Sequence, residues 1–166
     1  HGRTVFGGGG ILPDYVVQPD TTALTHLVRS GLDYAFARKW FTTHETELRS
    51  RWQERSDAFK TSYEVSDKML EEFWAFAEEQ GVQVTENPDS VDVSDRVYAM
   101  ATARSQQPFV ATRVKGYLAR LMYGRGVARP ILNEADPVFQ EALSLWSSSQ
   151  ELAAYHMGPS STVPQN

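Results

Sequence analysis

Cysteine is absent from the 166-residue chain. That excludes a disulfide framework, a zinc–thiolate site and a thiol nucleophile. A cysteine-free chain suits an oxidising compartment that avoids stray thiols, although cytosolic proteins also do without them. No apolar run approaches the roughly 20 residues of a membrane-spanning helix. No signal-peptide pattern is visible. The chain opens at His1 without a methionine, so the natural start is expected further upstream and His1 is read as a tag remnant. Lysine is scarce, with only Lys39, Lys60, Lys68 and Lys115. The net charge of −5 argues against a general affinity for nucleic acid or anionic lipid. What the chain does have is apolar material: 41% hydrophobic residues, with four Trp and eight Phe. That is the composition of one folded domain with a core, not of a disordered segment.

The first seventeen residues differ from the rest. Arg3–Phe6 and Ile11–Val17 are β-prone runs separated by Gly7–Gly10. They predict a short β-hairpin or an extended arm. Two strands are marginal on their own, so they ask for a sheet that the rest of the chain does not offer. After Asp20 the spacing turns helical. Leu24, Val28, Leu32, Ala35 and Phe36 share a stripe, interrupted by Gly31. Glu45–Arg49 and Glu47–Arg51 are helix-supporting pairs. Residues 56–65 are ambiguous. Ser66 or Asp67 predicts a helix start and Gly81 a stop, with Met69, Phe73, Phe76 and Ala77 as its apolar face. Gln80–Pro88 reads as a loop. Val93, Val97, Met100 and Ala101 predict a further helix ending before Ser105. The clearest helix follows Pro108 and closes at Gly124, with Val110, Val114, Tyr117, Leu118 and Leu121 on one face. Asp136-Pro137 caps a last helix carrying Val138, Ala142, Leu145 and Trp146. The expectation is a mainly α bundle of about five or six helices, spanning residues 19–157, with a flexible tail over 158–166.

Motifs with chemical potential fall short of their chemistry. Gly7–Gly10 leads into strand-like Ile11-Leu12-Pro13, so it is neither a phosphate-cradling loop nor a dinucleotide fingerprint. His44-Glu45-Thr46-Glu47-Leu48 starts like a zinc-protease helix, but Leu48 stands where the second His is needed. His26 and His156 are isolated. No serine has a lysine three residues on, and no G-x-S-x-G exists. Glu78/Glu79 and Asp92/Asp95 read as solvated helix-end carboxylates. Arg113, Lys115, Arg120, Arg125 and Arg129 form a basic cluster with Tyr117 and Tyr123 interleaved. An intramolecular acidic partner or solvent is the better reading of it than nucleic acid. No catalytic residue, metal ligand or cofactor site is assigned.

One stretch carries a resemblance. Gly2-Arg3-x-Val5-Phe6-Gly7-Gly8-Gly9-Gly10-Ile11-x-Pro13-Asp14-x-Val16-Val17 resembles the closing strands of the protease domain in bacterial carboxy-terminal processing (tail-specific) serine peptidases. It covers about a tenth of the chain. The helical remainder, with Lys115–Gly124 and the Asn133–Pro137 turn, is similar to the helical C-terminal extension of many bacterial members. The resemblance implies that residues 1–18 are terminal strands of an upstream catalytic domain. It implies a parent Ser/Lys endopeptidase of the periplasm or cell envelope, with a PDZ module and protein substrates. Its Ser and Lys have no matching position here. This chain is then a non-catalytic domain that braces the catalytic domain, aids substrate positioning or mediates self-association as a homo-oligomer. The alternative is a stand-alone helical protein-interaction module unrelated to proteolysis.

Overall fold

A glycine sets the first break in the helical framework. Gly31 has φ +70°, which a glycine adopts without strain, and it caps the end of α1 (Thr25–Ser30) and the start of α2 (Leu32–Trp52). The computed structural model describes residues 24–87, 97–147 and 149–150. Over these the chain is mainly α, a helical bundle with a small strand element. The further helices are α3 (Ser56–Ser62), α4 (Asp67–Glu79), α5 (Met100–Ser105), α6 (Gln107–Tyr123), α7 (Arg125–Glu134) and α8 (Pro137–Ser144). The N-terminal strand pair expected at residues 3–17, the domain boundary at 18 and the tail from 158 lie outside the described residues.

Local chemistry accounts for several boundaries. Ser66 caps α4, its hydroxyl accepting from the Met69 N–H at 3.3 Å. Gly81, with φ 86°, follows the end of that helix. Pro108 sits in the first turn of α6, where its missing N–H costs nothing. Gly124, with φ 84°, ends α6 and leads directly into α7. Asp136 caps α8 by accepting from the N–H groups of Val138 and Phe139 at 2.9 and 3.1 Å.

One region departs from the sequence expectation. The expected loop at 80–88 contains a strand, β1 (Gln83–Thr85), and the expected helix around Val97 begins as a strand, β2 (Val97–Ala99). The two pair in parallel with Val84 opposite Tyr98. Three-residue strands are too short for a readable alternation, and β2 runs straight into α5, so the apolar spacing through Met100 reads as one helix. For α7 the sequence carries no expectation. Gly126 and Pro130 argue against a helix there, yet both are exposed and one turn apart. Pro130 lacks the N–H that would donate to the Gly126 carbonyl. Ala128 and Ile131 bury the opposite face.

The core lies between α2, α4, α6 and α7. Leu118, Val114, Phe59, Phe73, Leu27 and Ile131 are among its fully buried side chains. Of the stripe expected on α6, Val110, Val114 and Leu118 are buried, and Tyr117 and Leu121 pack against the core at its edge. α6 approaches α7 closely because Gly116 is buried against Leu132: a Cβ there would lie 2.5 Å from Leu132 Cδ2. At one end, Phe59 stacks on Tyr63 with centroids 4.4 Å apart and meets Trp52 edge-on. Tyr123 joins this cluster and its hydroxyl donates to the Trp52 carbonyl. The C-terminal ends of α2 and α6 are thereby fastened through α3.

Candidate functional site

The strongest polar feature inside the bundle is one ion pair. Asp33 is 2% exposed, in the first turn of α2. Its Oδ1 accepts from the Tyr34 N–H at 2.8 Å, and its Oδ2 accepts from Arg113 Nε of α6. Arg113 also donates through Nη2 to the Tyr117 hydroxyl at 2.9 Å. Its guanidinium lies 5.6 Å from the Phe109 ring centroid and 5.5 Å from that of Tyr117. Burial raises the Tyr117 hydroxyl's pKa, and the neighbouring Asp33 carboxylate adds to the effect. Among the described residues no buried side-chain polar atom lacks a partner. A helix-start carboxylate, a guanidinium and a phenol thus form a closed network that ties α2 to α6.

Beside this network lies a cleft of about 730 Å³ between α1, the start of α6 and the α7–α8 turn. Val28, Pro108, Phe109, Leu132 and Val138 give it apolar walls, and Arg113 forms part of its inner wall. Arg29, Glu134 and Asp136 stand along it with opposing charges, so it is not a strongly charged site of either sign. No sequence motif marked it, because its wall residues come from four separate elements.

The residues weighed from sequence are scattered. Gly7–Gly10, His1, His156, Asp92 and Asp95 lie outside the described residues. His44 stacks on Trp40 with centroids 3.9 Å apart, and its Nδ1 is 2.9 Å from the Trp40 carbonyl. Glu45 pairs with Arg49 at 2.7 Å and Leu48 is buried, so this stretch of α2 is occupied with structural contacts. Lys39 meets Glu79 at 3.5 Å, Lys60 meets Asp57 at 2.6 Å, and Lys115 donates to the Lys60 carbonyl at 2.7 Å. Lys60 holds the Asp57 carboxyl below its ordinary pKa through a hydrogen bond and its charge. Lys68 is exposed at the start of α4. Of the basic cluster, Arg113 is engaged by Asp33, Arg120 reaches over the Tyr34 ring at 5.7 Å, and Arg125 and Arg129 are exposed on α7. Among the described residues no group of three or more His, Cys, Asp or Glu side chains could hold a metal ion. No described helix is long and apolar enough to cross a membrane.

No curated protein and no solved structure matches this chain. A family model does match, over residues 23–124, which run from the residue before buried Leu24 to the glycine that closes α6. That match spans more than half the chain and contains both partners of the Asp33–Arg113 pair. The chain belongs to a family of unknown function, DUF8443.

Proposed function

We propose that this chain is the non-catalytic C-terminal accessory domain of a Ser/Lys-type carboxy-terminal processing endopeptidase. It braces the catalytic domain, aids substrate positioning or mediates self-association. The observation that carries the reading is the amino-acid sequence from Gly2 to Val17, which resembles late strands of that protease domain and stands directly ahead of the helical unit. The family match beginning at residue 23 is in keeping with a boundary near residue 18. The partners on this reading are the upstream catalytic and PDZ domains and the parent's protein substrates. Its place is the periplasm or cell envelope.

The isolated chain is expected not to cleave a denatured test protein, and none of its serines should react with a fluorophosphonate probe. The parent polypeptide should be labelled at one serine upstream of His1. Cleavage by the isolated chain that stops when one of its own residues is mutated contradicts the proposal. So does an upstream reading frame without a Ser nucleophile and a Lys. The rival reading, a stand-alone helical interaction module, draws support from the exposed apolar residues of α8, and the upstream sequence separates the two.

A further inference from the structure

The last described helix faces the wrong way for a core element. α8 buries no residue, although six apolar side chains recur along it and its continuation. Leu145 keeps a near-helical backbone, with φ −85° and ψ −2°, so Trp146 extends the same surface. At about 100° per residue, Leu145, Val138, Ala142, Trp146, Phe139 and Leu143 fall within an arc of about 160°. Val138 is 54% exposed, Leu143 52%, Trp146 63% and Phe139 39%. The helix is nonetheless firmly placed. Asp136 caps it, and Gln140 Nε2 donates to the Asn133 carbonyl of α7 at 2.9 Å. It is therefore a fixed amphipathic helix whose apolar side points into solvent. Contiguous exposed apolar surface of several hundred Å² marks an interaction site in a folded protein.

We propose that α8 and the cleft beside it form a two-fold interface with a second copy of this chain, with Ala142 at the axis. Three observations select that occupant. The first is shape. In an antiparallel pair centred on Ala142, each Val138 lies opposite the other copy's Trp146, four residues to either side of the axis. Small residues meet where the backbones come closest, and the largest side chain meets a small one, so this single stripe is complementary to itself. The second is the cleft. Val138 is also one of its wall residues, so the same pairing brings each Trp146 to the other copy's cleft mouth. That space of about 730 Å³, walled by Phe109, Pro108 and Leu132, is ample for an indole. A helix stripe alone falls short of the roughly 800 Å² per partner of a stable interface, and an inserted Trp adds area. The third is charge. Residues 137–150 contain a single charged residue, Glu141, in a chain of net charge −5. Two like-charged copies meet with least repulsion there, and charge depletion is the mark of interface cores. The interface needs nothing upstream of His1 and stands whether or not the peptidase reading holds.

Sedimentation equilibrium of the full 166-residue chain tests it, with Ala142→Glu and Ala142→Lys variants. Ala142 is exposed, so neither change disturbs the monomer's core, and circular dichroism melts should superimpose. The wild type is expected to shift, at micromolar concentrations, from 18.7 kDa to twice that mass. Each variant alone should stay monomeric, and an equimolar mixture of the two should recover the dimer, because residue 142 meets its own counterpart. Trp146→Ala should weaken the wild-type dimer at least tenfold. A wild type that stays monomeric into the millimolar range overturns the proposal, and the arc is then covered by another part of the polypeptide. A dimer indifferent to both Ala142 variants, or variants that do not recover on mixing, overturns it as well.

Discussion

Asp33 shows how much one side chain decides here. Placed on α2, it sits where a carboxylate favours the helix dipole, and Arg113 reaches it from 80 residues away. Asp33→Ala leaves a guanidinium that is 17% exposed without its carboxylate, and urea unfolding should register a loss of about 3 kcal/mol. The double change Asp33→Leu with Arg113→Met, which removes both charges, should return to within about 1 kcal/mol of the wild type. A double mutant as unstable as the single one would mean that the pair is worth more than an apolar replacement. Tyrosine hydroxyls offer a second residue-scale test. Burial raises the pKa of Tyr63 far above its ordinary value, with the Glu47 charge adding to it. Burial also raises Tyr117 and Tyr123. Phenols that ionise later in the folded state favour folding below the unfolded tyrosine pKa of about 10. That stability is lost as pH rises from there toward the folded values. A phenolate absorbance titration of the folded chain should show Tyr63, Tyr117 and Tyr123 ionising later than an ordinary tyrosine. A titration in which all seven tyrosines ionise together near the ordinary pKa while helicity persists contradicts the burial.

At the scale of elements, the α6–α7 hairpin rests on a residue with no side chain. Gly116→Ala would set a Cβ against Leu132 Cδ2 and Cγ, at 2.5 and 2.6 Å, and should cost about 1–3 kcal/mol as Leu132 shifts. Leu132→Ala in the same chain opens the space, so the double mutant should be less destabilised than the two single losses combined. Simple additivity in denaturant melts would place the close approach elsewhere. This hairpin also shows what was legible beforehand. The periodicity from Val110 to Leu121 and the flanking Pro108 and Gly124 describe α6 well, because an amphipathic helix writes its burial into its own spacing. Ser66 and Asp136 announce their helices for an equally local reason. α7 is invisible because Gly126 and Pro130 oppose it locally, and only packing of Ala128 and Ile131 against its neighbours holds it. β1 and β2 escape notice because a three-residue parallel pair depends on a partner from elsewhere in the chain. The stripe of α8 was equally plain in the sequence, but a pattern of apolar residues says that a face will be covered and not by what.

For the molecule as a whole, the cleft was the least legible part. Val28, Phe109, Leu132 and Val138 are unremarkable in sequence, and only the bundle gathers them. The basic cluster is the converse: contiguous in sequence, it is dispersed by helical geometry between a buried pair, an aromatic face and solvent. What remains is a helical body whose buried core, among the described residues, runs from Leu24 to Ile131. The proposed function requires that body to be a unit of its own, stable without residues 1–18. The direct measurement is equilibrium unfolding in urea of residues 19–166 beside residues 1–166, followed by helical circular dichroism at a concentration where both are monomeric. Coincident midpoints are expected, with stabilities within about 0.5 kcal/mol, as for changes remote from a core. A shortened chain that is unfolded, or weaker by more than about 2 kcal/mol, would show that the first eighteen residues belong to this core, and would contradict the domain boundary on which the proposed function stands.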